Sequence, residues 1–183
     1  MCGIVGYVGE KQAANFLIDG LTKLEYRGYD SAGIAVFDGE KINVAKSVGR
    51  LAALKEKIKN NTPEGVMGIG HTRWATHGRP SDVNSHPHTD CSGKFAIVHN
   101  GIIENFMSLK EELIAKGHKF VSETDTEVVA HLIEDVYEGD FVEAVNKVLN
   151  RIEGSYSLAF MCQDYPDTLI CTKKDNPLVI GLG

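Results

Sequence analysis

The sequence has 183 residues, enough for one sizeable domain with a hydrophobic core. Its formal net charge is −6 and it has no long basic stretch, which argues against nucleic acid as a partner. The longest apolar runs fall short of the ~18 residues that a membrane-spanning helix needs. The N-terminal residues lack a signal-peptide pattern, so we expect a cytoplasmic protein and no membrane partner.

The four cysteines are expected to be free thiols. They stand at positions 2, 91, 162 and 171, and none forms a C-x-x-C pair. Their spacing matches neither a zinc ribbon nor a disulfide framework. Cysteines of a cytosolic protein are usually reduced.

In the first half of the chain, short apolar runs are interspersed with amphipathic stretches. Residues 24–33 are rich in glycine and polar groups and predict an ordered loop. Apolar spacing and the Asp38-Gly39 turn signal predict the regular elements. They are a strand at 3–8, a helix over 11–24, strands at 34–37 and 42–47, a charged helix over 51–59 and a strand at 66–71.

The second half begins with a long irregular segment, residues 72–93, which contains the lone tryptophan, Trp74. A segment of this length in a compact domain is usually functional or disordered, and the tryptophan favours function. A capping-box pattern at 124–127 and Asp140 each predict a helix start. Gly117 predicts the end of a helix. The predicted elements are a strand at 94–98, a helix over 105–116, helices after 124 and 140, and strands at 155–162 and 168–172.

Strands and helices come in clusters, and hairpins are frequent. This order favours antiparallel sheets with helices layered outside, an α+β architecture. The sequence has no internal repeat and no obvious linker, so we expect a single domain over residues 1–183. Its last residues resemble the cut end of a longer protein.

Cys2 directly follows the initiator methionine. If Met1 is removed, the residue carries both a thiol and a free α-amine, whose reference pKa is ~7.7–8.0. One residue then supplies a nucleophile and a general base. Taken alone, the first six residues favour a plainer interpretation, a small buried core residue at the start of a strand.

Asn100-Gly101 lies between two apolar runs and is the typical sequence of a type I′ hairpin turn. The glycine N–H and the asparagine side-chain amide could also stabilise a tetrahedral oxyanion, a contribution of typically ~2.7–4 kcal/mol per donor. The two interpretations are compatible, because a rigid turn holds its donors in place.

Arg73 and Asp125 are candidates for binding an amino acid. Arginine can clamp a carboxylate with two parallel hydrogen bonds. Asp125 could pair with an ammonium group, or it could only complement the dipole of the helix that follows. Trp74, Thr76 and His77 add an indole, a hydroxyl and an imidazole to the segment after Arg73. An ordinary polar surface loop is the alternative.

A metal site can be considered at His86, His88 and Cys91. The set offers at most three ligands on one loop, without a second pair at zinc-finger spacing. We therefore favour a hydrogen-bonded or solvated loop over a metal site there.

Five motifs in this order closely resemble the glutaminase domain of class II glutamine amidotransferases, which are N-terminal-nucleophile hydrolases. The resemblance covers essentially the whole chain, and the form of the loop at 26–33 is that of the amino-sugar branch. The motifs are MCGIVG at 1–6, YRGYDSAG at 26–33, HTRWATHG at 71–78, HNGIIEN at 99–105 and SETDTE at 122–127.

The resemblance implies a four-layer αββα sandwich and hydrolysis of L-glutamine to glutamate and ammonia, without a metal or organic cofactor. Cys2 would be the nucleophile and its α-amine the base, with Asn100 and Gly101 as the oxyanion hole. Arg73 would bind the α-carboxylate of glutamine and Asp125 its α-amino group. Trp74, Thr76 and His77 would belong to a loop that closes over glutamine.

The resemblance also implies a longer, homodimeric enzyme. In it, ammonia would pass to a C-terminal sugar isomerase domain, absent from this chain, for the synthesis of glucosamine 6-phosphate from fructose 6-phosphate. The alternatives are another class II amidotransferase, a different N-terminal-nucleophile amide hydrolase, and a glutamine-binding module without catalysis.

Overall fold

Two antiparallel four-stranded sheets form the centre of the protein, which the computed structural model describes over residues 2–74 and 78–182. The first sheet has the order β1 (Gly3–Val8), β4 (Met67–Arg73), β2 (Ser31–Phe37), β3 (Ile42–Val48). The second has the order β5 (His88–Thr89), β6 (Phe95–Ile103), β7 (Gly154–Cys162), β8 (Leu169–Lys174).

Five α-helices lie outside the sheets in the described part of the chain. They are α1 (Ala13–Leu24), α2 (Leu51–Ile58), α3 (Phe106–Ala115), α4 (Glu127–Val136) and α5 (Phe141–Leu149), and a 3-10 turn at Glu25–Arg27 follows α1. Helix α1 buries Ala13, Ala14, Leu17 and Leu21, whose spacing places them on one face. Among the described residues, no helix is both long and apolar enough to cross a membrane.

Three apolar clusters separate the layers. One lies between the first sheet and helices α1 and α2, and a second lies between the second sheet and helices α3 to α5. The third joins the two sheets, with Phe37 and Met67 from the first sheet and Val98 and Met161 from the second. The order is therefore helices, sheet, sheet, helices, which confirms the α+β class and the αββα sandwich.

The predicted turn at Asn100-Gly101 is wrong. Strand β6 runs through both residues, and Asn100 pairs with Ser157 and Gly101 with Tyr156 of β7. Gly101 does have the positive φ that the turn would need, +137°. The long pairing with β7 outweighs the local preference of the dipeptide.

The predicted capping box at 124–127 is also wrong, whereas the helix start at Asp140 is confirmed. Helix α4 begins at Glu127, and Thr126 makes no side-chain cap. The hydroxyl of Thr124 bonds to His88 instead. Asp140 accepts the N–H of Glu143 at 2.8 Å, as an N-cap does.

Strand β4 is longer than predicted and ends at Arg73, so this arginine is the last residue of the strand rather than the first of a loop. Strand β2 likewise begins at Ser31, inside the predicted loop 24–33. Pairing of Gly3 with Thr72 places Cys2 beside the end of β4. The strand ends that carry the candidate residues therefore meet at one edge of the sandwich.

Candidate active site

A pocket of about 420 Å³ lies at this edge. Six of the eight predicted site residues line it, although they come from distant parts of the sequence: Cys2, Arg73, Trp74, Asn100, Gly101 and Asp125. Thr76 and His77 lie outside the described residues. A concave site with a few convergent polar groups is the usual form of a small-molecule site.

The Cys2 thiol is held by the end of β4. Its Sγ accepts the backbone N–H of Trp74 at 3.1 Å, and the thiol lies 3.5 Å from the carbonyl oxygen of the same residue. Burial raises the pKa of the Cys2 thiol above its usual value, and the N–H of Trp74 opposes this rise only in part. The thiol is therefore protonated at neutral pH and needs a base before it can act as a nucleophile.

Asn100 reaches Cys2 with its side-chain amide. Nδ2 donates to the carbonyl oxygen of Cys2 at 3.1 Å, while Oδ1 lies 2.8 Å from Nε2 of His71. The same Nε2 lies 3.0 Å from the carbonyl oxygen of His99. Since both partners of Nε2 are acceptors, it carries the proton, and its N–H fixes the orientation of the Asn100 amide.

His71 is a positioning residue that the sequence reasoning did not identify. It is fully buried between the sheets, and burial lowers its pKa to about 4, so the ring is neutral at pH 7. Its sequence signals were its place at the end of the predicted strand 66–71 and its position as the first residue of the motif at 71–78.

Gly101 can only be glycine at this point of β6. A Cβ atom there would lie 2.0 Å from the carbonyl oxygen of Ser155, and φ is +137°. The residue lines the pocket directly after Asn100. At Gly101 the strand therefore borders the pocket with its backbone and without a side chain.

The guanidinium of Arg73 is buried and held from two sides. Nη2 donates to the carbonyl oxygen of Gly78 at 3.0 Å, and Nη1 lies 4.0 Å from a carboxylate oxygen of Asp30. Asp30 also donates its backbone N–H to the carbonyl oxygen of Arg73 at 3.2 Å. The segment 24–33 therefore supports the arginine, which makes Asp30 a further residue that sequence reasoning missed.

Asp125 is buried directly before helix α4. Its Oδ2 accepts the backbone N–H of Ile103 at 2.8 Å and lies 4.0 Å from Nδ1 of His99. The hydrogen bond ties the carboxylate to the end of β6. The dipole interpretation had placed Asp125 in the first helical turn. In the structure it lies before that turn.

Two further regions border the pocket. Trp74 is 48% exposed, and its ring packs edge-on against Tyr29 at a centroid distance of 5.3 Å. Asn176 and Pro177, which follow the last strand, also line the pocket. Sequence reasoning gave this C-terminal segment no role, because nothing in its local pattern links it to Cys2.

The proposed loop ligands His86, His88 and Cys91 do not act together. Nε2 of His86 lies 3.0 Å from the hydroxyl of Thr126, and Nε2 of His88 lies 3.0 Å from the hydroxyl of Thr124. Burial lowers the pKa of both rings well below the usual value. Cys91 turns instead toward helix α4 and lies 3.6 Å from His131. The two histidines are thus hydrogen-bonded supports beneath the pocket, as favoured above.

Comparison with known proteins matches residues 71–179 to the family described as "Glutamine amidotransferase domain". The whole chain is 60% identical to glutamine–fructose-6-phosphate aminotransferase (isomerizing) of Caldanaerobacter subterraneus, of which it covers 30%. It is 54% identical to the enzyme of the same name from Thermococcus kodakarensis and covers 31% of that chain. The chain thus spans about 30% of the length of the curated relatives it matches.

Solved structures agree with this result. Glutamine phosphoribosylpyrophosphate amidotransferase from Bacillus subtilis superposes with a TM-score of 0.77 at 30% identity, over 89% of this chain and 35% of that one. A glutamine aminotransferase class-II domain protein from Silicibacter pomeroyi has a TM-score of 0.57 at 16% identity, over 82% of this chain and 71% of that one. The second likeness concerns the fold alone.

Proposed function

The chain belongs to the glutamine amidotransferase family, and from this premise we propose that it hydrolyses the side-chain amide of L-glutamine to glutamate and ammonia through a γ-glutamyl thioester on Cys2. The observation that carries the proposal is the convergence of a thiol, an asparagine amide, a buried arginine and a buried aspartate on one pocket.

Cys2 is the proposed nucleophile. Its sulfur attacks the amide carbon, and the thiol proton passes to the α-amine of Cys2, directly or through a water, and then to the departing ammonia. The raised pKa of the thiol makes such a base necessary at neutral pH. The amine exists only after removal of Met1, so a chain that keeps Met1 should be inactive. Water then hydrolyses the thioester and releases glutamate.

Asn100 and Gly101 are the proposed oxyanion donors. The hydrogen bond from His71 and the bond from Nδ2 to the Cys2 carbonyl support this role, because they hold the amide beside the nucleophile. The bare backbone at Gly101 leaves room for the substrate to approach its N–H. Donors fixed before the reaction need no reorganisation when the negative charge develops.

Arg73 and Asp125 are proposed to bind the two charged groups of the amino acid. Arg73 would hold the α-carboxylate and Asp125 the α-ammonium. Both side chains are buried and anchored by the backbone, which supports a charge-specific site rather than a solvated ion pair. Trp74, with Thr76 and His77 outside the described residues, would form the closing segment.

The wider role of the chain is also a proposal. Its relatives are about three times longer, so we propose that residues 1–183 form the glutaminase domain of a homodimeric enzyme with a C-terminal sugar isomerase domain. The ammonia would serve synthesis of glucosamine 6-phosphate from fructose 6-phosphate. The identities of 60% and 54% to the two aminotransferases, against 30% to the phosphoribosylpyrophosphate amidotransferase, support this branch over another.

Intact mass and product analysis test the reaction. Protein without Met1 is mixed with glutamine and quenched in acid, and its peptides are weighed. We expect a γ-glutamyl adduct on the peptide that contains Cys2, with equal amounts of glutamate and ammonia released. A panel of other amides, including asparagine, should be turned over poorly. An adduct elsewhere, full activity with Met1 retained, or turnover of unrelated amides only would overturn the proposal.

A further inference from the structure

A second cluster of reactive side chains lies outside the pocket, around Cys91. Cys91 belongs to the connection between β5 and β6, His118 follows α3, and His131 and Glu134 stand one turn apart on α4. One potential ligand atom from each residue lies within 4.8 Å of the others. In the described part of the chain, these four residues are not among those that line the Cys2 pocket.

The spacing of these atoms is close to that around a tetrahedral metal ion. Sγ of Cys91 lies 3.6 Å from Nδ1 of His131. Oε2 of Glu134 lies 3.5 Å from that nitrogen and 3.0 Å from Nδ1 of His118. With zinc bonds of about 2.0–2.3 Å, the ligand atoms of a tetrahedral site stand about 3.3–3.8 Å apart. The two distances to His131 lie in this range, whereas the hydrogen bond between His118 and Glu134 must lengthen slightly when an ion enters.

Carboxylates stand behind both imidazole rings. Nε2 of His131 lies 3.6 Å from Oε1 of Glu127, and Nε2 of His118 lies 3.7 Å from Oδ1 of Asp135. Histidines that bind a metal usually direct their other nitrogen to a carboxylate, which fixes the ring and strengthens the ligand. Both rings therefore present Nδ1 to the cluster and Nε2 to an acid.

The sulfur is also held in place by the backbone. The N–H of Lys119 donates to Sγ of Cys91 with an N–S distance of 3.3 Å. This contact keeps the sulfur beside the two histidine rings. Asp135 also forms an ion pair with Nζ of Lys116 at 2.5 Å, so the lysine balances part of the negative charge around the cluster.

We propose that Cys91, His118, His131 and Glu134 form a closed tetrahedral site for a divalent transition-metal ion, with zinc as the best fit. One thiolate, two imidazoles and one carboxylate are typical zinc ligands, and four protein ligands leave no position for a substrate. The site is structural and independent of the proposed glutaminase reaction. Cys91 is an exposed residue, which provides a route of entry for the ion.

Such an ion would tie three segments together. It would join the β5–β6 connection and the α3–α4 connection to helix α4. Asp125 and Thr126, directly before that helix, line the Cys2 pocket. Metal binding should therefore stabilise the layer that carries this side of the pocket.

The test begins with the chelator-treated protein, titrated with Co²⁺ and then with Zn²⁺. We expect one equivalent of Co²⁺ to give the intense visible bands of tetrahedral cobalt and a thiolate charge-transfer band, and Zn²⁺ to displace it. With Zn²⁺ at about 100 times Kd, the Tm should rise by about 5–10 °C. Failure to bind either ion, or octahedral cobalt without the thiolate band, would overturn the proposal.

Single substitutions locate the site. Cys91→Ser should remove the charge-transfer band and weaken binding at least ~100-fold, since the loss of a group that only hydrogen-bonds to a ligand already costs ~10–100-fold. His118→Gln, which changes a partly exposed ligand, should weaken binding as well. Cys2→Ala and Cys171→Ser should bind like the unmodified chain. The proposal is wrong if binding survives in Cys91→Ser and His118→Gln, or if it is lost in either of the other two variants.

Discussion

Two regions of the described structure combine cysteine with histidine, and they differ in what surrounds the rings. Beneath the Cys2 pocket, the imidazoles of His71, His86 and His88 meet hydroxyl groups, carbonyl groups and one another. Around Cys91, the imidazoles face carboxylates on both sides. Burial lowers the pKa of the rings in the first region, whereas carboxylates accompany both rings of the second.

The two thiols share one kind of contact and differ in their other neighbours. Each accepts a backbone N–H, from Trp74 at Cys2 and from Lys119 at Cys91. Cys2 opens on a pocket bordered by Arg73 and Asp125, whereas Cys91 lies within ligand distance of His131. We infer that the neighbours, rather than the residue types, assign one cluster to an amino-acid substrate and the other to a metal ion.

The largest expected effect comes from Cys2→Ala. It should lower glutaminase kcat roughly 10,000-fold or more, because no other thiol borders the pocket among the described residues. The Tm should change little, since only one small side chain is lost. Cys171→Ala is the matched control and should keep full activity. Turnover by the Cys2 variant at the normal rate would show that Cys2 is not the nucleophile, and Cys2 and Cys91 would no longer differ in this respect.

Asn100→Ala should lower kcat roughly 100- to 1,000-fold, which is the usual cost of one oxyanion donor. KM should change less, because the donor acts mainly on the transition state. Asn146→Ala, on the exposed face of α5, is the control. A rise in KM with unchanged kcat would instead make Asn100 a substrate-binding residue.

The buried histidines predict a loss of stability in acid. The pKa of His71 is about 4 in the folded protein and near 6.5 when unfolded, so the unfolded chain takes up more protons between these values. The free energy of unfolding should fall as the pH drops below about 6.5, by a total on the order of 3 kcal/mol from His71 alone. His86 and His88 act in the same direction.

Urea unfolding between pH 8 and 5 measures about 2 kcal/mol of this loss, before most carboxylates titrate. His71→Gln, which keeps an N–H donor, should flatten the profile in part. A profile that is level over this range would mean that these rings take up protons in the folded protein as readily as in the unfolded chain.

The smallest effects separate two acids that precede helices, Asp125 as a candidate binding residue and Asp140 as a predicted helix start. Asp125→Asn keeps an acceptor for Ile103 but loses the charge, so KM for glutamine should rise roughly 10-fold or more, with little change in stability. Asp140→Ala should leave KM unchanged and cost ~1 kcal/mol of stability, since Asp140 is an N-cap. Glutaminase kinetics and urea unfolding of both variants test this difference. If Asp125→Asn has the same KM as the unmodified chain, Asp125 has only a structural role.

The sequence predicted the elements better than it predicted their ends. The amphipathic spacing in α1 and the cap at Asp140 are local signals, and both predicted helices are confirmed. The turn at Asn100-Gly101 and the capping box at 124–127 failed because distant partners, strand β7 and His88, bind the same groups. Local preferences are weak where a long-range hydrogen bond competes with them.

By itself, the sequence determined the α+β class and a set of ordered motifs that includes the six predicted site residues lining the pocket. It could not predict His71 as the support of Asn100, or Asp30 as the neighbour of Arg73, because neither contact has a sequence signature. It could not assemble the Cys91 cluster either, since Cys91 and His131 stand 40 residues apart. Only the packing of the two sheets and of α4 decided these contacts, because side chains from separate elements become neighbours only when their backbones are fixed against one another.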